Sequence, residues 1–448
     1  MTTLTADAPT ARFDRPVSEP WVFVILVLAL TALGIVMVYS AGQGVSAKAD
    51  NFYFTRHLMF VPVALAALTL GVWFPYQRLN RRWVAWAILG LTVLVLALVL
   101  VPGIGAMKNG ARRWFTLPFW PHISIQPSEF AKVALVIFLS WFLARPDHHP
   151  RDFRRGFLPA MAAIGLVCAL IAKEDLGTAV LIGTVGTLLV IIAGCRWFYL
   201  APVLPVAGAG AYVAVVMAPF RVERLLAFLN PWEHMDKAGW HVVQSLLAIG
   251  RGGLFGVGLG AGVQKFGYLP EDTTDFIFAA LCEEMGLLGG ILVIGVFAVF
   301  VWRGARVVRK APDSFGFLLA SGLLLMIALQ AIMNIGVVSG ALPCKGIGLP
   351  FLSYGGTGLV VMSLAAGLLA SVARGAERAA ASPKPAEDSP KAASAEAPVA
   401  PATAAVATAA GPLVMIPAAV RTATAEPQAP EAAPEAKQDE PPEAPGHA

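Results

Sequence analysis

The sequence predicts an all-α polytopic membrane protein with ten transmembrane helices, a large outer loop between helices 7 and 8, and a disordered C-terminal tail. Composition is the first reason. Hydrophobic residues are 57% of the 448 and charged residues only 14%, against about 45–50% and about 25% in soluble chains. With a mean hydropathy of +0.70, there is too little charge to clothe a water-soluble surface. That excludes cytosolic enzymes, secreted disulfide scaffolds and free nucleic-acid binders, despite the net charge of +5. The second reason is a series of ten apolar runs, and the third an abrupt change of composition after Arg374.

A bilayer core needs about 20 apolar residues per helix, or about 17 with snorkelling flanks. Runs that qualify lie near 21–41, 57–74, 84–102, 128–145, 157–172, 178–194, 198–219, 276–302, 316–339 and 358–373. Pro159 interrupts the fifth, and Pro202 and Pro205 the seventh; neighbouring helices can satisfy the carbonyls a proline frees. Residues 1–20 are polar and mixed in charge, so the first run reads as a retained helix rather than a signal peptide.

Basic residues set the orientation. With the N-terminus inside, sixteen Lys and Arg from Arg12 to Arg378 fall on the cytoplasmic side, against seven outside: Lys48, Arg56, Lys108, Arg112, Arg113, Lys173 and Lys345. The long loop at 220–275 is left out because the rule does not cover it. Both termini are then cytoplasmic, flanking a membrane domain at 21–374. The tail at 375–448 holds 13 of the 33 prolines and no aromatic residue, too little apolar surface to offset the entropy of ordering. It reads as a solvated linker or a partner-binding tail.

Cys168, Cys195, Cys282 and Cys344 are far apart and form no CxxC or Cys/His zinc spacing. The chain has no Walker A lysine. The glycine run from Gly250 to Gly262 lacks the flanking strand and helix of a dinucleotide fingerprint. No nucleotide is implied. Such glycines either fold the backbone over a headgroup or merely turn.

Charges within spans are costly, and each is a candidate for function. Glu129 and Lys132, spaced i,i+3 at the start of the fourth run, share a helix face; they either lock helix packing or line an outward-facing cavity near Lys108, Arg112 and Arg113. Lys173, Glu174 and Asp175 form a second cluster at the outer end of the fifth run. In the large loop, Trp240, Val243, Leu246 and Leu247 alternate with His241, Gln244 and Ser245, a short amphipathic helix expected along the outer interface. The loop ends in an acidic cluster, Glu271, Asp272 and Asp275. Asp275 is either a helix-start residue favoured by the dipole or a carboxylate placed to take a proton from a substrate hydroxyl. From Asn334 to Gly358 the chain is too rich in glycine and proline for helix yet too apolar for a solvated loop, which fits a re-entrant segment buried in protein. Its one basic residue, Lys345, either snorkels or faces a phosphate.

Three stretches carry a resemblance: GWHVVQSLLAIGRGGLFGVGLG, QKFGYLPEDTTDFIF and the LPCKG segment around Lys345. Together they resemble the SEDS family of shape, elongation, division and sporulation proteins, and its cell-division member more than its elongation member. The match spans about residues 20–374 and leaves out the tail. It implies a fold of ten transmembrane helices with a large outer loop between the seventh and eighth. The implied activity is polymerisation of lipid II, an undecaprenyl-pyrophosphate-linked disaccharide peptide, into glycan strands at the division septum of the bacterial inner membrane. The implied partners are a class B penicillin-binding protein, which is a transpeptidase, and other divisome proteins.

Carried over residue by residue, the essential aspartate of the TDFIF motif falls on Asp275, implying the catalytic base. Substrate-binding positions fall on Arg113, Glu129, Lys132, Asp175, Glu271 and Lys345. Thr273 stands where related sequences often carry histidine, and Cys344 where they carry threonine. The reaction needs a base for the attacking 4-hydroxyl and a cationic clamp for the departing pyrophosphate. Its energy comes from the donor, which accounts for the absent nucleotide motif; a role for a divalent cation is left open. Two other classes compete. A lipid II flippase needs a charged cavity but no base, and would be marked by inverted repeats with broken helices; no clear half-to-half repeat is visible. A noncatalytic scaffold would need only helix faces and tails.

Overall fold

The computed structural model describes residues 18–43, 46–108, 111–117, 120–146, 152–235, 239–266, 269, 273–343 and 346–381. Among them are twelve α-helices: α1 (Glu19–Gly42), α2 (Ser46–Trp73), α3 (Arg82–Leu100), α4 (Pro127–Leu143), α5 (Leu158–Ala172), α6 (Leu176–Ile192), α7 (Val203–Val216), α8 (Pro219–Leu229), α9 (Gly239–Gly252), α10 (Ile277–Lys310), α11 (Ser314–Val338) and α12 (Gly356–Ala381). Each of the ten apolar runs lies on one of these helices. Among the described residues, eight helical stretches are long and apolar enough to cross a membrane, α7 together with the helical turn before it as Trp197–Val216. The exceptions, α4 and α6, have 17 residues each and rise about 25 Å, short of a core of about 30 Å.

The interior is built on helices that are apolar all round. From Ala131 to Leu143, α4 is buried on every side, and α11 and α12 are nearly so. A tight crossing joins α2 and α12, where Gly71 faces Gly367: a Cβ on Gly367 would stand 2.4 Å from the Leu68 oxygen. Only glycine permits that approach, and small residues are what let helices meet closely in lipid. At the opposite extreme α7 buries none of its residues, so its apolar surface has to be met by hydrocarbon.

The structure departs from the sequence reading in three places. First, a three-stranded antiparallel sheet joins α3 to α4: β1 (Ala106–Lys108), β2 (Ala111–Leu117) and β3 (Trp120–Ile125), in the order β1-β2-β3. Met107 pairs with Arg112, and Phe115 with Ile125. Second, the large loop contains α8 and α9, and α9 packs one face on protein. Its Val242, Val243 and Ala248 are buried, and the Ser245 hydroxyl donates to the Val338 oxygen on α11 at 2.7 Å. Third, α11 runs on to Val338, so the irregular segment begins at 339 rather than at Asn334. That segment is packed in protein, with Ile347, Leu349, Phe351 and Leu352 all buried.

Candidate active site

Asp275 is half-buried in the turn that leads into α10. The cap position belongs to Phe276, which makes no side-chain cap bond. Asp275 is positioned through its backbone instead: its carbonyl accepts the Asn334 amide at 2.8 Å, and the same amide reaches the Ile347 oxygen at 2.7 Å. The Asp275 carboxylate lies against Gly346, its Oδ2 3.1 Å from where a Cβ there would stand. Two residues earlier, the Tyr354 N–H donates to the Thr273 oxygen at 2.9 Å. The turn is thereby laid on the segment that joins α11 to α12. Burial raises the Tyr354 phenol above its ordinary value, although Arg56 beside it pulls the other way.

The pair at the head of α4 reaches the same segment. The Lys132 ammonium stands 2.8 Å from Glu129 Oε2 and donates to Gln330 Oε1 on α11 at 2.7 Å; the Gln330 amide donates in turn to the Gly348 oxygen at 3.0 Å. Glu129 faces the start of α12, with Oε2 3.3 Å from a Cβ placed on Gly358. Glu129, Lys132, Gln330, Asn334 and Asp275 are thus linked around one loop, 346–348. Sequence reading missed Gln330. Its signal was a polar amide one turn before Asn334 inside an apolar run, where each polar group needs a partner.

A second cluster sits between α3, β2, α4 and α5. Arg113 on β2 pairs with Asp175 at 3.4 Å, and Asp175 caps α6 by accepting from the Thr178 N–H and hydroxyl, both at 2.9 Å. The Arg112 N–H donates to Glu174 Oε2 at 2.6 Å. From α8, Arg221 closes over the end of α5, donating to the Ala172 and Lys173 oxygens at 3.0 and 2.6 Å. Burial lowers the Arg221 guanidinium from its ordinary value, opposed by Asp175 and Glu174, and it stays protonated. A narrow crevice here joins these charges to the apolar walls of Leu96, Val99, Leu170 and Ile171. The sheet is bolted to α12: Gln126 N–H donates to Thr357 Oγ1 at 3.2 Å, and that hydroxyl to the Ser124 oxygen at 3.3 Å. Both clusters therefore share one end of α4.

The family model described as cell cycle protein, FtsW/RodA/SpoVE, matches residues 20–378. The chain belongs to this family. It is 41% identical over 368 residues to stage V sporulation protein E of Bacillus subtilis (strain 168), covering 80% of this chain and 98% of that one. A probable peptidoglycan glycosyltransferase FtsW of Trichlorobacter lovleyi is 40% identical over 358 residues, covering 79% and 93%. Among solved structures, a chain from a peptidoglycan synthase complex that coordinates polymerization and crosslinking matches with a TM-score of 0.64 at 28% identity, covering 80% and 98%. The crystal structure of the rod shape determining protein RodA of Thermus thermophilus gives 0.57 at 27%, covering 79% and 96%. Membership makes the chain a multi-pass membrane protein of the FtsW/RodA/SpoVE type.

Of the predicted site residues, Asp275, Glu129 and Lys132 are brought together, and Arg113 and Asp175 pair with each other. Glu271 and Lys345 lie outside the described residues, Lys345 next to the Gly346 that Asp275 touches. Among the described residues no three His, Cys, Asp or Glu side chains form a metal-holding group.

Sequence reading also missed Glu283 and Glu284, both buried in α10. Glu283 accepts from the Val263 and Gln264 N–H groups at 2.9 and 3.3 Å. Glu284 accepts from the Ser40 hydroxyl at 2.6 Å and the Gly260 N–H at 3.0 Å, with the Lys265 ammonium 3.6 Å away. Beside them α10 is broken at Gly286 (φ 70, ψ −170). A broken helix is a transporter's mark, but here the chain's own loop fills the break: Val257 N–H bonds the Glu283 oxygen at 3.0 Å, and Leu287 N–H the Gly253 oxygen at 2.9 Å. Gly252 and Gly256 serve that backbone contact.

Proposed function

We infer that this chain is a peptidoglycan glycosyltransferase that polymerises lipid II into glycan strands, with Asp275 as general base. The observation that carries the reading is the Asp275 carboxylate lying against Gly346 while Asn334 holds its backbone. A base works only within hydrogen-bond reach of its proton, and the Asp275 carboxylate lies at the edge of the loop that follows Lys345 in sequence. The acceptor's 4-hydroxyl attacks the donor's anomeric carbon as Asp275 takes its proton; the bond to the polyprenyl pyrophosphate breaks, and the leaving group carries away the negative charge. Lys345, and Arg113 at the mouth of the amphipathic crevice, stabilise that charge. The Glu129–Lys132 pair holds the substrate-facing loop through Gln330.

The sixteen-to-seven basic asymmetry supports cytoplasmic termini and a site on the outer face of the bacterial inner membrane. The likeness to a chain of a peptidoglycan synthase complex supports a class B penicillin-binding protein as partner, and the FtsW relatives support action at the division septum. The decisive experiment is polymerisation of labelled lipid II by purified wild-type and Asp275→Asn protein, with and without that partner. Asn keeps the size but cannot take the proton, so glycan synthesis should fall about 10²–10⁴-fold at an unchanged melting temperature. Near-normal synthesis by folded Asp275→Asn protein would refute the mechanism.

A further inference from the structure

The run from Gly252 to Gln264 holds no charged residue and is bonded along α10 rather than standing clear of it. Its depth follows from α10 itself. At one end of that helix the Arg303 and Arg306 guanidiniums stack on Trp302, followed by Arg309 and Lys310, a combination that marks a membrane interface. Counted back from Arg303 along the unbroken part of α10 at about 1.5 Å per residue, Leu287 lies about 24 Å away, so a hydrocarbon core of about 30 Å ends beyond the break at Gly286, on the Glu283 side. Arg251, half exposed, sits at that boundary with Nε 3.7 Å from Glu283 Oε1. Leu287 and Leu288, whose N–H groups bond the Gly253 and Leu254 oxygens at 2.9 and 3.2 Å, lie about 6–8 Å further in.

At that depth three large apolar side chains of the run point away from the protein: Leu254 is 60% exposed, Phe255 79% and Leu259 61%. They continue the exposed face of α10 formed by Leu287, Leu288, Ile291 and Leu292, which a membrane-spanning helix turns to lipid. Irregular backbone is tolerated in hydrocarbon only where its polar groups are satisfied by protein. Here protein satisfies many of them: Gly256 N–H bonds the Gly252 oxygen, Val257 and Gly258 N–H groups bond the Glu283 and Glu284 oxygens, Gly260 N–H bonds the Glu284 carboxylate, and Ala261 N–H bonds the Gly258 oxygen. A water-exposed loop would need neither this accounting nor an uncharged apolar tip.

We propose that residues 253–260 form a membrane-inserted hairpin, with Leu254, Phe255 and Leu259 solvated by the lipid chains of the leaflet on the Asp275 side. The segment is a loop by connectivity and a lipid-contacting surface by chemistry, whatever reaction the protein performs.

Spin labels at single cysteines test this. Leu254→Cys, Phe255→Cys and Leu259→Cys are made in full-length protein whose own four cysteines are replaced, and reconstituted into phosphatidylglycerol–phosphatidylethanolamine vesicles. Collision with oxygen, which concentrates in hydrocarbon, is compared with collision with a neutral water-soluble nickel chelate. The references are Ile291→Cys on the lipid face of α10 and Glu233→Cys in the exposed 231–235 segment. The three sites should match Ile291, with oxygen dominant. Nickel dominance, as at Glu233, overturns the proposal, and so does shielding from both reagents, which would mean that protein covers the patch. A photoreactive benzoylphenylalanine at Phe255 of the otherwise native chain needs no cysteine removal and should yield lipid adducts. Adducts confined to protein, or no adduct at all, overturn the proposal equally.

Discussion

The amide of Asn334 bridges the Asp275 and Ile347 carbonyls, at 2.8 and 2.7 Å. Asn334 and Asp275 are 59 positions apart in sequence, so one buried side chain joins the turn carrying the proposed base to the loop beside Lys345. Asn334→Leu keeps the bulk but removes the donor, leaving two carbonyls unpaired at a cost of about 1–3 kcal/mol each. The melting temperature should drop, and polymerisation should fall further than the lost folded fraction accounts for. Activity that tracks only the folded fraction would show that Asn334 stabilises the protein without positioning Asp275.

Lys132 is buried between Glu129 and Gln330. Removing one member of a buried ion pair strands the other, commonly at about 3–5 kcal/mol. Lys132→Met and Glu129→Gln should each destabilise the protein strongly. Their combination should be milder than the sum, with a coupling of about 0.5–3 kcal/mol, read from thermal unfolding in detergent. Strict additivity would mean that the two charges are held by other partners.

The helical frame was legible because apolar runs of sufficient length have few alternatives in a chain so poor in charge. Glu129 and Lys132 were legible as a pair because i,i+3 spacing is local. The sheet was not, since its strands are three to seven residues long and sit between long apolar runs that dominate any average. Its signal was there in Asn109-Gly110 between β1 and β2, the usual pair for a two-residue hairpin turn. Glu283 and Glu284 were hidden in another way. They were absorbed into a span by its mean hydropathy, and their partners, Ser40 and the 260–265 backbone, come from distant segments. Two adjacent carboxylates within a span were themselves the warning. Gln330 and Asn334 bond backbone brought up by an irregular segment, which no periodicity reveals.

Gly256 stands at φ +80, and a Cβ there would lie 2.1 Å from the Glu284 oxygen. Gly256→Ala must separate the loop from the broken helix, and the melting temperature should fall as for a loss of several kcal/mol, in the range of severe core changes. Gly90 on α3 is the control, because a Cβ there meets nothing within 4 Å and alanine favours helix by up to about 1 kcal/mol. Gly90→Ala should leave the melting temperature unchanged or raise it. Equal effects of the two substitutions would show that the loop is not locked to α10.

Asp175 serves two roles that substitution can separate: it caps α6 through Thr178 and pairs with Arg113. Asp175→Ala loses both, and the missing cap alone costs about 0.5–2 kcal/mol. Asp175→Asn keeps an acceptor for the Thr178 N–H, and with it most of the cap, but leaves Arg113 without its counter-charge. If Arg113 clamps the donor pyrophosphate, its orientation by Asp175 affects the reaction and not only the fold. The Asn variant should then melt close to wild type while polymerising lipid II more slowly, with the larger change in the lipid II concentration needed for half-maximal rate. Arg113→Lys should show the same pattern, because an ammonium keeps the charge but lacks the planar fork that holds carboxylate and phosphate together. Wild-type kinetics in both variants would reduce the pair to a structural tie between β2 and α6 and leave Lys345 as the remaining candidate clamp.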